Sequence, residues 1–518
     1  MTKDPAGDAG NLFEALYDGE DAVVRALRAG ASAESSDTDG TTALYLASVE
    51  DRPGAVRLLL AAGADPNRAS GPEAGDLPLC GAACGGHGEV VEALLASGAE
   101  PDLREEFGFT ALRWAVGLGH ARIAETLLSH GADPGLPGPE GESPLVVAAR
   151  RGSAHTVRTL LRHGAADLPQ ALEEARRCLR LDTEQELRDA LSALYGDGTG
   201  SGGIDGGYTT VVRRTPEDGG VTVTVELQRD GEPFASQDRQ TGHGAIATLL
   251  ENELGVRTPF EELAARALRG ADPELDDWHE SVEALWQRGD EETFQAAAAW
   301  TASGDPLRQA FGADVLAQLG FRTGAKPFAA RSVPLLRELA REAVDADLIQ
   351  SAVLGLGHHE DPAALPEILR HAEHPDRMVR RAVTLALFGP VAAGRPEAVA
   401  ALITLSGDTD EGVRDWATTA LAAADDDTPE IREALAVRLD DADPDTVAEA
   451  ARGLARRGDT RAAEALVRLL AEEPADSYAG TTAAAALQPP SRPGRPSARP
   501  AFEDRGAGRS PESGPPGG

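Results

Sequence analysis

The sequence predicts a mainly α-helical protein, an α-solenoid in two arrays with a small β-meander module between them. Three observations predict this fold. A unit of about 33 residues recurs through the first third of the chain, and a different unit of 34 residues recurs in the C-terminal half. Between the two arrays, residues 221–226 alternate valine with polar side chains, which is the period of a β-strand.

Residues 109–134, FTALRWAVGLGHARIAETLLSHGADP, show one complete unit of the first array. Thr110 is placed to cap a first helix, Gly119 and His120 are placed at a tight turn, and a second helix follows with its apolar residues on one face. Gly131 is expected to end that helix, because glycine adopts the left-handed C-cap without a steric cost. A unit of this size cannot bury its own apolar face, so it requires neighbours of the same kind.

The neighbouring units share a closing Gly-Ala pair, at Gly30, Gly63, Gly98, Gly131 and Gly164 with the alanines that follow. They also share a first-helix pattern, seen in TALYLASVEDR, LPLCGAACGGH, TALRWAVGLGH and SPLVVAARRGS. This period and pattern resemble the ankyrin repeat. The resemblance covers roughly the first third of the chain and implies stacked helix pairs that bind protein partners.

The composition agrees with stacked helices. Hydrophobic residues make up 41% of the 518 residues and aromatic residues only 4%, so small side chains let helices approach closely. The net charge of −37 disfavours binding to nucleic acid and to anionic membranes and favours a basic partner. Three cysteines, no secretory signal and no membrane-length apolar run lead us to expect a monomer in a bacterial cytoplasm.

The segment after the Gly-rich stretch 196–207 changes period. Two turn sequences, PEDGG at 216–220 and RDGE at 229–232, separate extended segments, and a helix is expected from about Ala245 to Leu254. Three strands alone are marginally stable, so this meander is expected to lean on a helix or on a neighbouring array.

The second array is marked by DRMVRRAVTLAL, DEGVRDWATTAL and DPDTVAEAARGL, whose valines 379, 413 and 447 are each 34 residues apart. This pattern resembles HEAT repeats, of the kind also found in bilin-lyase-like proteins. The Asp of each copy is expected to cap the second helix. Arg308, Arg380 and Arg414 are expected to reach a neighbouring Asp or carbonyl. In the last copy Ala448 stands where the arginine would be, so the row of arginines stops there.

These features predict a domain order of six segments: a disordered leader at 1–9, an ankyrin repeat domain with capping helices at 10–195, a flexible linker at 196–207, the meander and helix at 208–258, HEAT-like repeats at 259–488, and a disordered Pro/Gly/Arg-rich tail at 489–518.

Two sets of residues were weighed as metal ligands. Cys80, Cys84 and His87 form a C-x3-C-x2-H spacing, but a fourth ligand is not apparent nearby and all three occupy repeat positions. The His279-Glu280 and His358-His359-Glu360 sequences resemble the His-Glu pairs of a HEAT-repeat di-iron hydroxylase family, but they occupy unequal repeat positions and are expected to be exposed. We therefore expect no metal and no cofactor.

Two functions are compatible with this architecture. The first is a non-catalytic protein–protein interaction scaffold or adaptor that uses the concave surfaces of both arrays, with no nucleophile motif that would indicate an enzyme. The alternative is a HEAT-repeat lyase-like or chaperone-like protein that acts on a small ligand or chromophore-type substrate. A deep pocket with converging ionisable groups would favour the alternative, and an open groove with exposed side chains would favour the scaffold.

The ankyrin resemblance also implies which residues meet a partner, because partners of this family contact the hairpin tips and the concave ends of the first helices. Mapped through the repeats, these are Thr38, Asp39, Thr41, Glu50, Glu73, Asp76, Glu106, Phe107, Phe109, Leu118, Glu140, Glu142, Arg150 and Arg151. In the third repeat, alternation along an extended segment predicts that the Phe107 and Phe109 rings face the same side.

Overall fold

The computed structural model describes residues 5–72, 75–195, 208–321 and 324–487, with side chains from Leu12 onwards. Glu73, residues 1–4 of the predicted leader, the predicted linker at 196–207 and the predicted tail at 489–518 lie outside the described residues. The chain forms two compact units, one ending at Ser281 and one beginning at Val282.

The first unit begins with five pairs of helices; the first pair is an N-terminal cap, and the next four pairs are the complete repeats, numbered one to four in chain order. The helices are α1 Pro5–Asp18, α2 Glu20–Arg28, α3 Ala43–Val49, α4 Pro53–Ala61, α5 Pro78–Gly85, α6 Gly88–Ala96, α7 Ala111–Leu118, α8 Ala121–Ser129, α9 Pro144–Arg151 and α10 Ala154–Arg162. Helix α1 begins inside the segment expected to be a disordered leader. Pro5 is suited to that place, because its fixed φ is already helical and its missing N–H has no helical acceptor.

Local chemistry determines where these helices start and stop. The Thr42 and Thr110 hydroxyls accept hydrogen bonds from the third backbone N–H of their helices, at 3.1 and 3.2 Å. Gly131 has a φ of 92°, which glycine adopts without strain, and Ala132 after it is buried. The predicted caps and Gly-Ala closures of the repeat are therefore confirmed.

A fifth repeat is completed by helices that are far apart in sequence. Helix α11, Leu168–Leu179, packs on α9 and takes the place of the first helix of this repeat. Helix α13, His243–Glu253, packs on α11 and α10 and takes the place of the second helix. Ala245, Ile246 and Leu250 of α13 are fully buried and belong to the same apolar core as the repeats. Helix α13 therefore covers the open end of the stack.

The residues between α11 and α13 form helix α12, Thr183–Tyr195, and strands β1 Tyr208–Glu217, β2 Gly220–Arg229 and β3 Glu232–Gln240. The sheet is antiparallel in the order β1-β2-β3. Asp218-Gly219 and Asp230-Gly231 form its two hairpin turns, with positive φ at all four residues. The buried side chains of β2 pack on Leu187 and Leu191 of α12, so the predicted meander and its supporting helix are confirmed.

Charged side chains tie α13 to its surroundings within the first unit. The Asp277 carboxylate accepts a hydrogen bond of 2.6 Å from the Ala245 N–H at the start of α13. The Glu251 carboxylate is almost fully buried and accepts hydrogen bonds from Arg266 at 2.7 and 2.8 Å and from Arg176 at 2.7 Å. Because a buried carboxylate without such partners would be costly, these contacts place α13 in one orientation.

The remaining described part of the chain is helical, and its helices within the second unit form a second stack. The helices of this part are α14 Phe260–Ala267, α15 Asp276–Trp286, α16 Glu291–Thr301, α17 Pro306–Gln318, α18 Ala329–Glu342, α19 Ala346–His359, α20 Leu365–Leu369, α21 Arg377–Ala386, α22 Pro396–Leu405, α23 Glu411–Ala423, α24 Pro429–Val437, α25 Pro444–Arg456, α26 Ala462–Glu472 and α27 Tyr478–Ala486. In the second unit, α17, α19, α21, α23, α25 and α27 pack in sequence as one layer. Helices α16, α18, α20, α22 and α24 pack as the other layer, which we call the outer layer.

An arginine ladder links successive repeats of this stack. Arg380 donates two hydrogen bonds to the Asp408 carboxylate at 2.7 and 2.8 Å, and Arg414 donates two to Asp441 at 3.0 and 3.1 Å. Both arginines also donate to backbone carbonyls, as predicted. Arg308 does not join the ladder, because its guanidinium lies over Trp300 and 3.7 Å from the carboxylate of its own cap residue, Asp305.

The buried Asp277 yields a pH prediction. Burial raises the pKa of Asp277 from 3.8 to about 6, so the folded state binds this proton more tightly than the unfolded state does. As the pH rises through the interval between these two pKa values, the wild type should lose about 3 kcal/mol of unfolding free energy relative to Asp277→Asn. Asparagine retains an oxygen that accepts from Ala245.

Urea denaturation of both proteins between about pH 4 and about pH 7 measures this difference. Asp272→Asn, at an exposed carboxylate in the loop before α15, is the matched control. A wild type that gains stability relative to Asp277→Asn over this range would contradict the prediction.

Candidate protein-binding surface

The hairpin tips of the first four complete repeats stack on one another. The Gly71 N–H donates a 3.1 Å hydrogen bond to the Gly40 carbonyl. A Cβ placed on Gly75 would lie 2.6 Å from Glu106, and one placed on Gly108 would lie 3.5 Å from Pro139. We call this continuous surface the tip ridge; it comprises the described residues of 37–41, 70–76, 105–109 and 138–142.

The structure places the predicted binding residues in three groups. The exposed ones are Thr38, Asp39, Glu50, Glu106, Phe107, Leu118 and Glu140. Those of intermediate burial are Thr41, Asp76, Phe109, Glu142, Arg150 and Arg151. Glu73 lies outside the described residues.

The tip of the third repeat is a tight turn organised by a buried carboxylate. Glu105 is 8% exposed and accepts hydrogen bonds from the N–H groups of Phe107 and Phe109, at 3.1 and 3.2 Å. Gly108 has a φ of 81° in this turn. The extended segment from which we predicted that both rings face one side is therefore wrong, because the chain reverses direction at this tip.

The two rings have different environments. Phe107 is 64% exposed. The Phe109 ring packs edge-on against Trp114, with centroids 5.1 Å apart, and the Arg113 guanidinium lies 5.2 Å from its centroid. Phe107 is therefore available to a partner, and Phe109 is part of the fold.

The charged residues at the fourth repeat make contacts inside the protein. Arg150 donates to the carboxylates of Glu142 and Glu174, at 2.9 and 2.6 Å. Hydrogen bonds from Arg177 and Arg150 hold the pKa of Glu174 down at about 2. Arg151 donates to both the carbonyl and the carboxylate of Asp238 in β3. Glu142 is thus paired with Arg150, Arg150 also with α11, and Arg151 with the sheet. Family resemblance alone could not indicate these internal contacts.

The charge exposed along the tip ridge is mainly negative. Asp39, Glu106 and Glu140 are exposed, and Asp76 is half-buried. The exposed Arg104 next to the ridge donates to the Gly108 and Pro137 carbonyls, both at 2.7 Å, so it bridges two tips. A partner that neutralises these carboxylates would have to be basic.

The sequence reasoning missed two aromatic side chains next to the ridge. Trp114 and Tyr45 are half-buried on the first helices α7 and α3. Tyr45 lies against Gly81 of the neighbouring repeat, where a Cβ would be 3.0 Å from the ring. The repeat pattern could have indicated both residues. Tyr45 takes the place of the usual histidine, and Trp114 occupies the variable position of the first-helix pattern.

The residues weighed as metal ligands have other partners. His87 donates through Nε2 to the Val49 carbonyl at 3.1 Å, and the Cys80 thiol is buried 3.9 Å from the Leu103 and Phe109 carbonyl oxygens. Burial raises the pKa of that thiol to about 12. Within the described part of the chain, no group of three or more His, Cys, Asp or Glu side chains is placed to hold a metal ion.

The histidine pair of the second array differs from its expected position. His358 and His359 end helix α19 rather than lying in a turn, and His359 is buried with Nε2 3.1 Å from the Leu316 carbonyl. The expectation that these residues are exposed is wrong for His359, for the half-buried His358 and for Glu280, which is 7% exposed. As the last residue of α19, His359 places its ring against α17 of the preceding repeat.

The fold and this surface define a repeat protein of two α-solenoids. Family models described as ankyrin repeats match residues 39–70 and, in three copies, residues 79–171. A family model described as HEAT repeats matches residues 333–422 and 405–488. The chain therefore carries an ankyrin repeat region followed by a HEAT repeat region, and both are protein-interaction repeats.

A comparison with curated proteins finds no match to this chain. In the described residues, no helix is both long enough and apolar enough to span a membrane.

The different environments of the two rings predict different effects on stability. Phe109→Ala should lower the free energy of unfolding by about 1–2 kcal/mol, because it removes half-buried contacts with Trp114 and Arg113. Phe107→Ala should change it by less than about 0.5 kcal/mol. Chemical denaturation of both variants measures this, and equal losses would show that Phe107 also packs in the fold.

Proposed function

We propose that the chain is a non-catalytic scaffold or adaptor, and that the tip ridge of its ankyrin array binds a basic segment of a partner protein. The observation that carries this proposal is Phe107, a large aromatic ring that is 64% exposed between exposed carboxylates. Aromatic anchors surrounded by polar residues are typical of the energetic centres of protein interfaces.

The geometry of the ridge supports an extended or helical partner segment. Stacked tips present the exposed carboxylates of Asp39, Glu106 and Glu140 on the first, third and fourth repeats, with the half-buried Asp76 on the second. Lys or Arg residues of a partner can pair with these carboxylates while an apolar side chain covers Phe107. Charge complementarity of this kind speeds association and selects partners, and the buried aromatic contact supplies most of the affinity.

The fourth repeat limits where the partner can lie. Arg151 is bound to β3 and Arg150 to α11, so these cations do not repel a basic partner at that end of the ridge. We therefore propose that the partner covers the first three tips and ends near Glu140.

A pull-down from the source organism with the wild type and with Phe107→Ala tests this function. A true partner should be retained by the wild type and lost with the variant. Calorimetry should show that Phe107→Ala weakens the binding free energy of that partner by more than about 2 kcal/mol. The matched control is Tyr17→Ala, which removes an aromatic ring that is 57% exposed on α1.

Affinity should also fall as salt is raised, because exposed charge pairs are screened. A partner that binds the wild type and Phe107→Ala equally, or whose binding does not depend on salt, would contradict the proposed surface.

A further inference from the structure

The outer layer of the HEAT array contains a groove of about 510 Å³ beside helix α18. Its cause is the short neighbouring helix. Helix α18 has 14 residues and α20 has five, and a three-residue 3₁₀ turn, Pro362–Ala364, precedes α20. The shorter helix cannot cover the whole of α18, so one stripe of α18 lines the groove.

That stripe carries apolar and cationic side chains in order. Ala330, Val333 and Pro334 form one part, and Arg337 and Arg341 continue it at helical spacing. Pro334 has no N–H, so it cannot donate to the Ala330 carbonyl one turn earlier. The groove therefore offers an apolar wall and two guanidinium groups on a single helix.

The two guanidinium groups have more donors than their carboxylate partner can use. Arg337 and Arg341 both donate to the same oxygen, Oε1 of the buried Glu367, at 3.0 and 3.2 Å. Arg341 remains half exposed. Among the described residues, no hydrogen-bond partner is present for Arg337 Nε or for the other oxygen of Glu367.

His359 adds a third polar group to the groove. It is 5% exposed, and its Nε2 donates to the Leu316 carbonyl, so in the neutral ring Nδ1 is an acceptor. Within the described residues that Nδ1 has no partner. Desolvation lowers the pKa of His359, in keeping with a neutral ring.

The remaining charges around the groove are compensated or engaged. Lys326 pairs with Glu360 at 2.8 Å, and the Asp361 carboxylate accepts a 2.9 Å hydrogen bond from the Ala363 N–H. Among the described residues that line the groove, Arg337 and Arg341 are the charged groups with donors to spare. Buried polar atoms without partners are rare in folded proteins, and a ligand that is both donor and acceptor would serve these.

We propose that this groove binds an acidic peptide segment of a partner protein, with a side-chain carboxylate held by Arg337 and Arg341. The planar guanidinium fork matches a carboxylate. The peptide N–H groups would face the acceptors, and its apolar side chains would cover Val333 and Pro334. A free inorganic anion fits less well, because it would leave the apolar wall uncovered.

This site differs from the tip ridge in the charge that it selects. The tip ridge takes a basic segment and the groove takes an acidic one, so the two arrays recognise different segments. Binding at the groove does not depend on Phe107, and the failure of one surface leaves the other testable.

Fluorescence anisotropy of the full chain with a labelled octapeptide of alternating Glu and Leu tests the proposal. The wild type should bind this peptide at least about tenfold more tightly than it binds the same peptide with Gln in place of Glu. Arg341→Gln should lower the affinity for the Glu peptide by about tenfold while leaving the Arg337–Glu367 pair in place.

Arg337→Gln combined with Arg341→Gln should abolish the preference for the Glu peptide, and thermal midpoints identify any variant that has unfolded. The matched control, Arg377→Gln, removes the same charge from a 70% exposed side chain on α21 and should bind as the wild type does. Equal binding of the Glu and Gln peptides, equal binding by the wild type and Arg341→Gln, or full displacement by millimolar inorganic phosphate would overturn the proposal.

Discussion

The packing of helix α13 on α11 is the contact on which the first unit depends. A stack of repeats has an apolar face at each end, and that face must be covered by a polar cap or by another element. Here Ala245, Ile246 and Leu250 of α13 enter the repeat core with essentially no exposed surface. Without α13, the face of α11 would be left in water.

The same contact determines where the sheet lies. The chain leaves α11, forms α12 and three strands, and returns at α13, so in the sequence the sheet is an insertion between the two helices of one repeat. The Gly242 N–H donates a 3.1 Å hydrogen bond to the Gly152 carbonyl, which joins the end of the sheet to the turn of the fourth repeat. A Cβ on Gly152 would lie 2.1 Å from the Gln240 carbonyl oxygen, so this approach requires glycine.

This closure has a consequence for the binding surface. The sheet occupies Arg151, and α11 supplies the Glu174 carboxylate to Arg150, so the fourth repeat is an anchor rather than an open end. The first and third tips keep exposed carboxylates at Asp39 and Glu106, and the third tip also keeps the exposed Phe107 ring. In the function that we propose, recognition is therefore confined to one part of the ankyrin array, and the groove beside α18 belongs to the second unit.

The sequence predicted the features that depend on near neighbours. Thr110, Gly131 and the hairpin turns act within a few residues, so their roles follow from local chemistry. The Asp partners of Arg380 and Arg414 were predictable from the repeat period, because each Asp lies in the adjacent repeat. In both cases the spacing along the chain carries the information.

The features that the sequence did not predict depend on distant segments. Helix α13 begins 64 residues after α11 ends, by 243 − 179, and no period relates the two. The partner of Arg151 is 87 residues away in β3. At the third tip, the buried carboxylate of Glu105 reverses the chain, and the residue pattern does not distinguish this turn from an extended segment.

The most direct measurement of the central claim is made on a chain with a protease site inserted between residues 196 and 207. If α13 completes the fifth ankyrin repeat, the two fragments should stay together on size-exclusion chromatography after complete cleavage. They should separate only when Ile246→Asp is introduced into the buried face of α13, since that change buries an unpaired charge. Release of a fragment ending near Tyr195 that keeps its full helical circular dichroism and thermal midpoint would contradict this account.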